Sequence, residues 1–87
     1  MNSDAYASFR VKLNREYNWP ADYLFKFIAP ATRQNELAAL FPGKKLFIRQ
    51  SGKGKYISIT VTLHMDSADK VIALYREAAR IPGIIML

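Results

Sequence analysis

Residues 56–65 restrict the possible fold more than any other stretch of the chain. Apolar residues occupy every second position of this stretch: Ile57, Ile59, Val61, Leu63 and Met65. This period of two, with β-branched residues at the positions between as well, is typical of a strand that buries one face. Asp66 and Ser67 then offer N-caps, and apolar residues recur every three or four positions, which predicts a helix over 68–81.

Three further segments complete the predicted sheet. Residues 23–29 are aromatic and β-branched and lie between two prolines, which predicts a first strand with Phe25 and Phe27 on its core face. A short helix follows it, residues 44–50 form the second strand, and residues 84–87 form a short terminal strand. The order β-α-β-β-α-β predicts an α+β fold of the ferredoxin-like type, a four-stranded antiparallel sheet with two helices on one face.

The chain ahead of the first strand has a helical pattern of its own. Tyr6, Phe9, Leu13 and Tyr17 recur at helical spacing. We therefore predict that residues 1–18 form an N-terminal arm or short helix. Residues 19–87 are then a single ferredoxin-like domain, in keeping with a length of 87 residues.

The sequence SGKG predicts a hairpin between the second and third strands. Its glycines supply the positive φ angles of a tight turn, and the spacing and following helix of a phosphate-binding loop are absent. A four-residue loop over 51–54 would place Ile48 opposite Ile57 and Leu46 opposite Ile59. This register buries Leu46 and Ile48.

The charge of the chain is uneven. The net charge is +6, and between Glu36 and Asp66 there is no acidic residue. The candidate patch for an anion or a nucleic acid consists of Lys45, Phe47, Arg49, Lys53, Lys55 and Tyr56. Its cations attract phosphates and its aromatic rings offer stacking surfaces for bases. The alternative is a solvated basic surface that serves solubility.

Other chemistry has little support in the sequence. There is no cysteine, and His64 is the single histidine, so no metal-ligating set and no nucleophile with its base is recognisable. We expect no enzyme activity, no metal and no cofactor. The lack of cysteine, of a signal peptide and of a long apolar run predicts a cytoplasmic protein that does not enter a membrane.

The face of the sheet opposite the predicted helices is too apolar to stand in water without a partner. Strand parity places Leu24, Ile28, Phe47 and Tyr56 there, around Lys26. Either the N-terminal arm or another chain covers this face. We expect a homodimer, since open sheet faces and uncharged edge strands associate readily.

Two motifs resemble a known family. The hairpin S-G-K-G-K-Y with the strand I-S-I-T-V-T-L, and the helix S-A-D-K-V-I-A-L-Y-R-E, are similar to the YbeD-like family of small bacterial proteins of unknown function over about residues 19–87. The resemblance implies a ferredoxin-like fold, whose shape is similar to ACT-type regulatory domains.

ACT-type domains bind amino acids at a dimer interface. The resemblance thus implies a regulatory or protein-interaction module with a partner protein or a small-molecule effector. The positions implied for an amino-acid ligand are Pro30, Ala31, Thr32, Arg33 and Gln34.

Overall fold

The computed structural model describes residues 5–87, which form one four-stranded antiparallel sheet with helices on one side of it. The elements in chain order are α1 (Ala7–Glu16), β1 (Ala21–Pro30), a 3₁₀ turn (Ala31–Arg33), α2 (Gln34–Ala38), β2 (Phe47–Ser51), β3 (Tyr56–Met65), α3 (Ala68–Ala78) and β4 (Ile85–Met86). The strand order is β2-β3-β1-β4. The predicted ferredoxin-like α+β fold is confirmed.

The two central strands carry the core face of the sheet. β1 and β3 pair along their whole length, from Ala21 opposite Met65 to Pro30 opposite Tyr56. Their alternating side chains are fully buried beneath the helices: Phe25, Phe27, Ala29, Ile57, Ile59 and Val61. The period-two pattern of the sequence therefore identified the buried face correctly.

The helix after β3 begins where the sequence predicts. The Ser67 hydroxyl accepts a hydrogen bond from the Lys70 backbone N–H at 3.1 Å, which caps the first turn. The α-helix ends at Ala78, three residues earlier than predicted, because the backbone tightens and the Ile81 N–H bonds the carbonyl of Ala78. Gly83 then turns the chain at φ +79°, where a Cβ atom would lie only 2.8 Å from Pro30 Cγ.

The β2–β3 hairpin has a different register from the predicted one. Its loop comprises residues 52–55, so Ile48 lies opposite Ile59 and Gln50 opposite Ile57. The register differs by two residues because three successive residues, Gly52, Lys53 and Gly54, have positive φ angles. A shift of two preserves the face of each side chain.

The predicted burial of Ile48 is wrong. Its side chain is 41% exposed, because α2 is only five residues long and lies over β1 rather than over β2. Leu46 lies ahead of β2 and is only partly buried against the core.

The N-terminal helix α1 packs in the helix layer, not on the opposite face of the sheet. Leu13 is 2% exposed and belongs to the core, and the Phe9 ring meets Tyr75 edge-on at 5.5 Å. Arg10 Nε pairs with Asp69 Oδ1 of α3 at 2.6 Å. Residues 5–18 therefore do not cover the apolar face of the sheet. This excludes, for these residues, the expectation that the N-terminal arm lies over that face.

A tyrosine pair joins β1 to α3. The hydroxyls of Tyr23 and Tyr75 are 3.0 Å apart, beside a cavity of about 390 Å³ between α1, α3 and β4. Burial raises the pKa of Tyr75 far above its ordinary value, and the hydrogen bond to Tyr23 raises it further. Burial also raises the pKa of Tyr23, despite the opposing effect of that hydrogen bond. Both phenols therefore stay neutral in the folded protein when free tyrosine ionises.

Replacement of Leu13 by alanine tests whether α1 belongs to the cooperative core. Leu13→Ala removes fully buried methyl groups and should lower the free energy of unfolding by about 2–4 kcal/mol. Val11→Ala is the matched control on the same helix: Val11 is 56% exposed, so its change should stay within about 0.5 kcal/mol. Urea denaturation followed by circular dichroism measures both, and equal midpoints for the two variants would show that α1 does not stabilise the domain.

Alkaline stability tests the tyrosine pair. Tyr75 has a raised pKa when folded and an ordinary pKa of 10.0 when unfolded, so its contribution is complete below that pH and is lost as the pH rises above it. Tyr75→Phe should cost about 1 kcal/mol at neutral pH. Above pH 10.0 the native protein should lose stability faster than the variant, by up to about 1.4 kcal/mol per pH unit. Urea midpoints between about pH 7 and about pH 11 check this, and parallel curves would contradict it.

Candidate functional site on the open sheet face

The sheet face away from the helices, here called the open face, is formed by alternate residues of all four strands. β1 contributes Asp22, Leu24, Lys26 and Ile28; β2 contributes Phe47, Arg49 and Ser51; β3 contributes Tyr56, Ser58, Thr60, Thr62 and His64; Ile85 and Leu87 complete it. Several of its large side chains are well exposed: Leu24 (56%), Phe47 (63%), Tyr56 (45%), Ile85 (52%) and Leu87 (60%). Among residues 5–87 no helix covers this face, because α1, α2 and α3 all contribute to the core on the other side.

A trough runs along β3 through the middle of the open face. Its floor is low because β3 presents the short side chains of Ser58 and Thr60, whereas the flanking strands present longer ones. β1 and β2 lie one strand on either side of β3, so the walls stand about 10 Å apart at the backbone. The depression measures about 340 Å³, and its lining residues are Lys26, Ile28, Arg49, Gln50, Ser51, Ser58, Thr60 and Leu87.

The trough is cationic. Lys26 lies beside Thr60 on one wall, and Arg49 lies beside Ser58 on the other. Within residues 5–87, no carboxylate forms an ion pair with either of them. The strands contribute one acid to this face, Asp22. It lies at the end of the open face away from the trough, where its Oδ1 is 2.9 Å from His64 Nδ1. The centre of the open face therefore carries two cations, Lys26 and Arg49, that have no ion-pair contact within residues 5–87.

The structure brings four of the six predicted patch residues together on or beside the open face. Phe47 and Arg49 are neighbours on one side of β2, and Lys45 Nζ lies 5.8 Å from the centre of the Phe47 ring. Tyr56 lies at the end of β3, with its ring over Gly52, where a Cβ would meet Tyr56 Cδ2 at 3.3 Å.

The other two patch residues, Lys53 and Lys55, lie in the hairpin loop beyond the strands. Both residues are exposed and extend the positive charge past the end of the trough, but they do not form part of its walls.

The residues implied for an amino-acid ligand lie where β1 ends. Pro30 pairs with Tyr56, and the Ala31 N–H donates to the carbonyl of Lys55 at 2.8 Å, which ties this turn to the hairpin. Arg33 Nη1 is already engaged with Glu36 Oε1 at 2.6 Å.

Thr32 and Gln34 lie in the same turn, in the 3₁₀ segment and at the start of α2. Thr32 does not cap α2, since Arg33 occupies the N-cap position without a side-chain hydrogen bond. The role of residues 30–34 in ligand binding stays a prediction.

Sequence reasoning missed Lys26, Ser58 and Thr60 as members of the site. Strand parity places Lys26 on the open face, but the predicted patch contains residues of one contiguous basic segment only. The pairing of Lys26 with Thr60 joins residues 34 positions apart in the sequence, and only the β1–β3 register reveals it. The alternation Leu24, Lys26, Ile28 was the available signal.

Residues 5–87 contain no group of three or more histidine, cysteine, aspartate or glutamate side chains placed to hold a metal ion. In the same range, no helix has the length and apolar character needed to cross a membrane.

A protein-family model matches most of the chain. The family model described as "Protein of unknown function (DUF493)", which is the YbeD-like family, matches residues 14–87. No curated protein and no solved structure gives a significant match to the chain. The matched segment begins inside α1 and includes α2, α3, all four strands and the complete open face. The protein therefore belongs to the DUF493 family of proteins of unknown function.

Proposed function

We propose that the protein is a non-catalytic binding module whose open face holds a single-stranded nucleic acid. The observation that carries this proposal is the combination of unpaired cations in the trough with exposed aromatic rings beside it on the open face. Single-stranded nucleic acids bind to surfaces of this kind, in which cations follow the backbone and aromatic side chains stack on bases.

The spacing of the side chains along the trough supports an extended ligand. Phe47 lies level with Thr60, Arg49 lies level with Ser58, and Tyr56 lies one row further on. Each row is two residues from the next, or about 7 Å. A guanidinium thus stands between two aromatic rings, an arrangement in which a phosphate would meet Arg49 while bases stack on Phe47 and Tyr56.

The same charges argue against a homodimer that buries the open face. Two copies packed face to face would bring Lys26 and Arg49 of each chain into one interface. Asp22, the acid on this face, is already engaged with His64. Buried like charges without partners cost several kcal/mol, on the order of 2–5, so an anionic partner is the better complement.

Fluorescence anisotropy with labelled single-stranded RNA and DNA of about 12 nucleotides tests the proposal. We expect saturable binding that weakens steeply with added salt, because each phosphate contact contributes about −0.7 to the slope of log K against log salt. Arg49→Ala should weaken binding and flatten this slope by about 0.7. The double variant Phe47→Ala, Tyr56→Ala should cost about 1–3 kcal/mol per lost stacking contact and leave the slope nearly unchanged.

Lys12→Ala is the control for loss of a positive charge, since Lys12 is exposed on α1 in the helix layer. It should bind like the native protein. If neither RNA nor DNA binds saturably at low salt, the proposal fails and the basic surface serves solubility or another partner.

A second candidate is a regulatory module that senses a small molecule at a dimer interface, as in ACT-type domains. The free edge of β2 favours it: within residues 5–87, β2 pairs with β3 alone, and all five of its residues are exposed. Pairing of two β2 edges would join two sheets about a two-fold axis. The turn 30–34 is bonded to the neighbouring hairpin and would then lie close to the interface.

Light scattering across a dilution series tests the second candidate. A dimer is expected, and Ile48→Lys at the β2 edge should shift it towards monomer, whereas Val11→Lys on α1 should not. An amino acid that binds residues 30–34 should also raise the melting temperature, because it binds the folded state alone. A monomer at all concentrations would remove this candidate without affecting the nucleic-acid proposal.

A further inference from the structure

We infer that the trough contains a phosphate subsite built from Lys26, Arg49 and the hydroxyls of Ser58 and Thr60. Its ligand class is a phosphoryl group, either the phosphomonoester of a nucleotide or the phosphodiester of a polynucleotide. For the polymer ligand the inference rests on the proposed function. The subsite itself makes a separate prediction about small phosphates.

The sheet register aims the four groups at one region. Lys26 on β1 and Arg49 on β2 stand on opposite walls, and Ser58 and Thr60 lie between them on the floor. Ser58 pairs with Arg49 and Thr60 pairs with Lys26, so each cation has a hydroxyl as its neighbour. An anion on the floor would receive donors from three strands.

These donors are available. Among residues 5–87, neither hydroxyl has a side-chain hydrogen bond and neither cation has a carboxylate partner. Three arginines of the helices and turns do have carboxylate partners: Arg10 pairs with Asp69, Arg33 with Glu36 and Arg80 with Glu77. Arg15 and the described lysines outside the trough have no such partner, so the trough is distinguished by the convergence of its four donors and not by the lack of ion pairs.

The walls of the trough strengthen the attraction. Ile28 and Leu87 line it beside the charged groups and reduce the water that can reach a bound anion. Charge-assisted hydrogen bonds are stronger where water is excluded. Both cations remain exposed at their ends, so a single small anion should bind weakly, with a Kd on the order of 1 mM.

The donor set matches phosphate better than carboxylate. A carboxylate has two oxygens, which one arginine can satisfy with two parallel hydrogen bonds. A phosphoryl group offers three or four oxygens in a tetrahedral arrangement and carries up to two charges. Two cations and two hydroxyls that approach from different strands complement the second geometry.

Amide chemical shifts from ¹H–¹⁵N spectra of the whole chain test the subsite. The probes are inorganic phosphate, adenosine monophosphate and, as the carboxylate control, acetate, each at matched ionic strength. We expect phosphate and the nucleotide to shift the amides of residues 26, 49, 58 and 60 saturably, and acetate to bind at least about fivefold more weakly. Shifts that follow ionic strength alone, or that lie only in loop 52–55, would overturn the inference.

Substitutions assign the donors. Lys26→Gln and Arg49→Gln should each weaken phosphate binding by about fivefold or more, and Thr60→Val should weaken it about two- to threefold. Lys12→Gln, a loss of one charge on α1, should leave it unchanged. All four positions are at the surface or half-buried, so the variants should keep the native spectrum elsewhere. Equal losses in Lys26→Gln and Lys12→Gln would indicate a general charge effect and contradict a built site.

The two proposals fail in different ways. If phosphate binds saturably in the trough but no RNA or DNA binds, the subsite stands as a site for a small phosphorylated ligand and the proposed function falls. If RNA binds with the expected salt dependence but Lys26→Gln and Thr60→Val leave both RNA and phosphate binding unchanged, the subsite is wrong and the proposed function stands.

Discussion

The antiparallel pairing of β1 with β3 is the constraint on which the other features of the molecule depend. The two strands pair over ten residues each, from Ala21–Met65 to Pro30–Tyr56. A slip of one residue would exchange every core side chain for one of the open face. The buried rings and branched side chains of the core face prevent such a slip, and by doing so they also fix which side chains are neighbours on the other face. The pairing of Lys26 with Thr60 is thus a consequence of how Phe25 and Phe27 pack.

The two edge strands of the sheet are much shorter than the central pair. β2 has five residues and β4 has two, and both lie at an edge. The helices cover the central strands but leave Ile48 of β2 exposed, although it points to the helix side. Short edge strands with few buried contacts are the parts of a domain that open most readily. The candidate site therefore combines a rigid floor and one rigid wall, from β3 and β1, with a more adaptable wall from β2.

Sequence reasoning predicts the faces of this fold better than the neighbours across it. Period-two patterning correctly separated core from open face in β1 and β3, and it kept Ile48 on the right side even though the register was wrong. The hairpin register depended on Lys53, which adopts a positive φ of 60° although it is not a glycine. The identity of this residue does not predict that conformation. The position of α1 depended on contacts between distant residues, such as Arg10 with Asp69. For the same reason sequence reasoning missed three of the four donors in the trough, Lys26, Ser58 and Thr60: they lie on different strands from Arg49, and no contiguous motif contains all four.

The distribution of charge separates a binding surface from one that merely confers solubility. A solubilising surface needs charged groups in water and few large apolar side chains. The open face has the reverse composition, since its exposed Leu24, Phe47 and Tyr56 surround only a few cations. Elsewhere in the described chain, three arginines are paired with carboxylates: Arg10, Arg33 and Arg80. A net charge of +6 would keep the protein soluble wherever its cations lay. The position of Arg49 between two aromatic rings, with Lys26 across a floor of hydroxyls, supports the proposed anionic ligand.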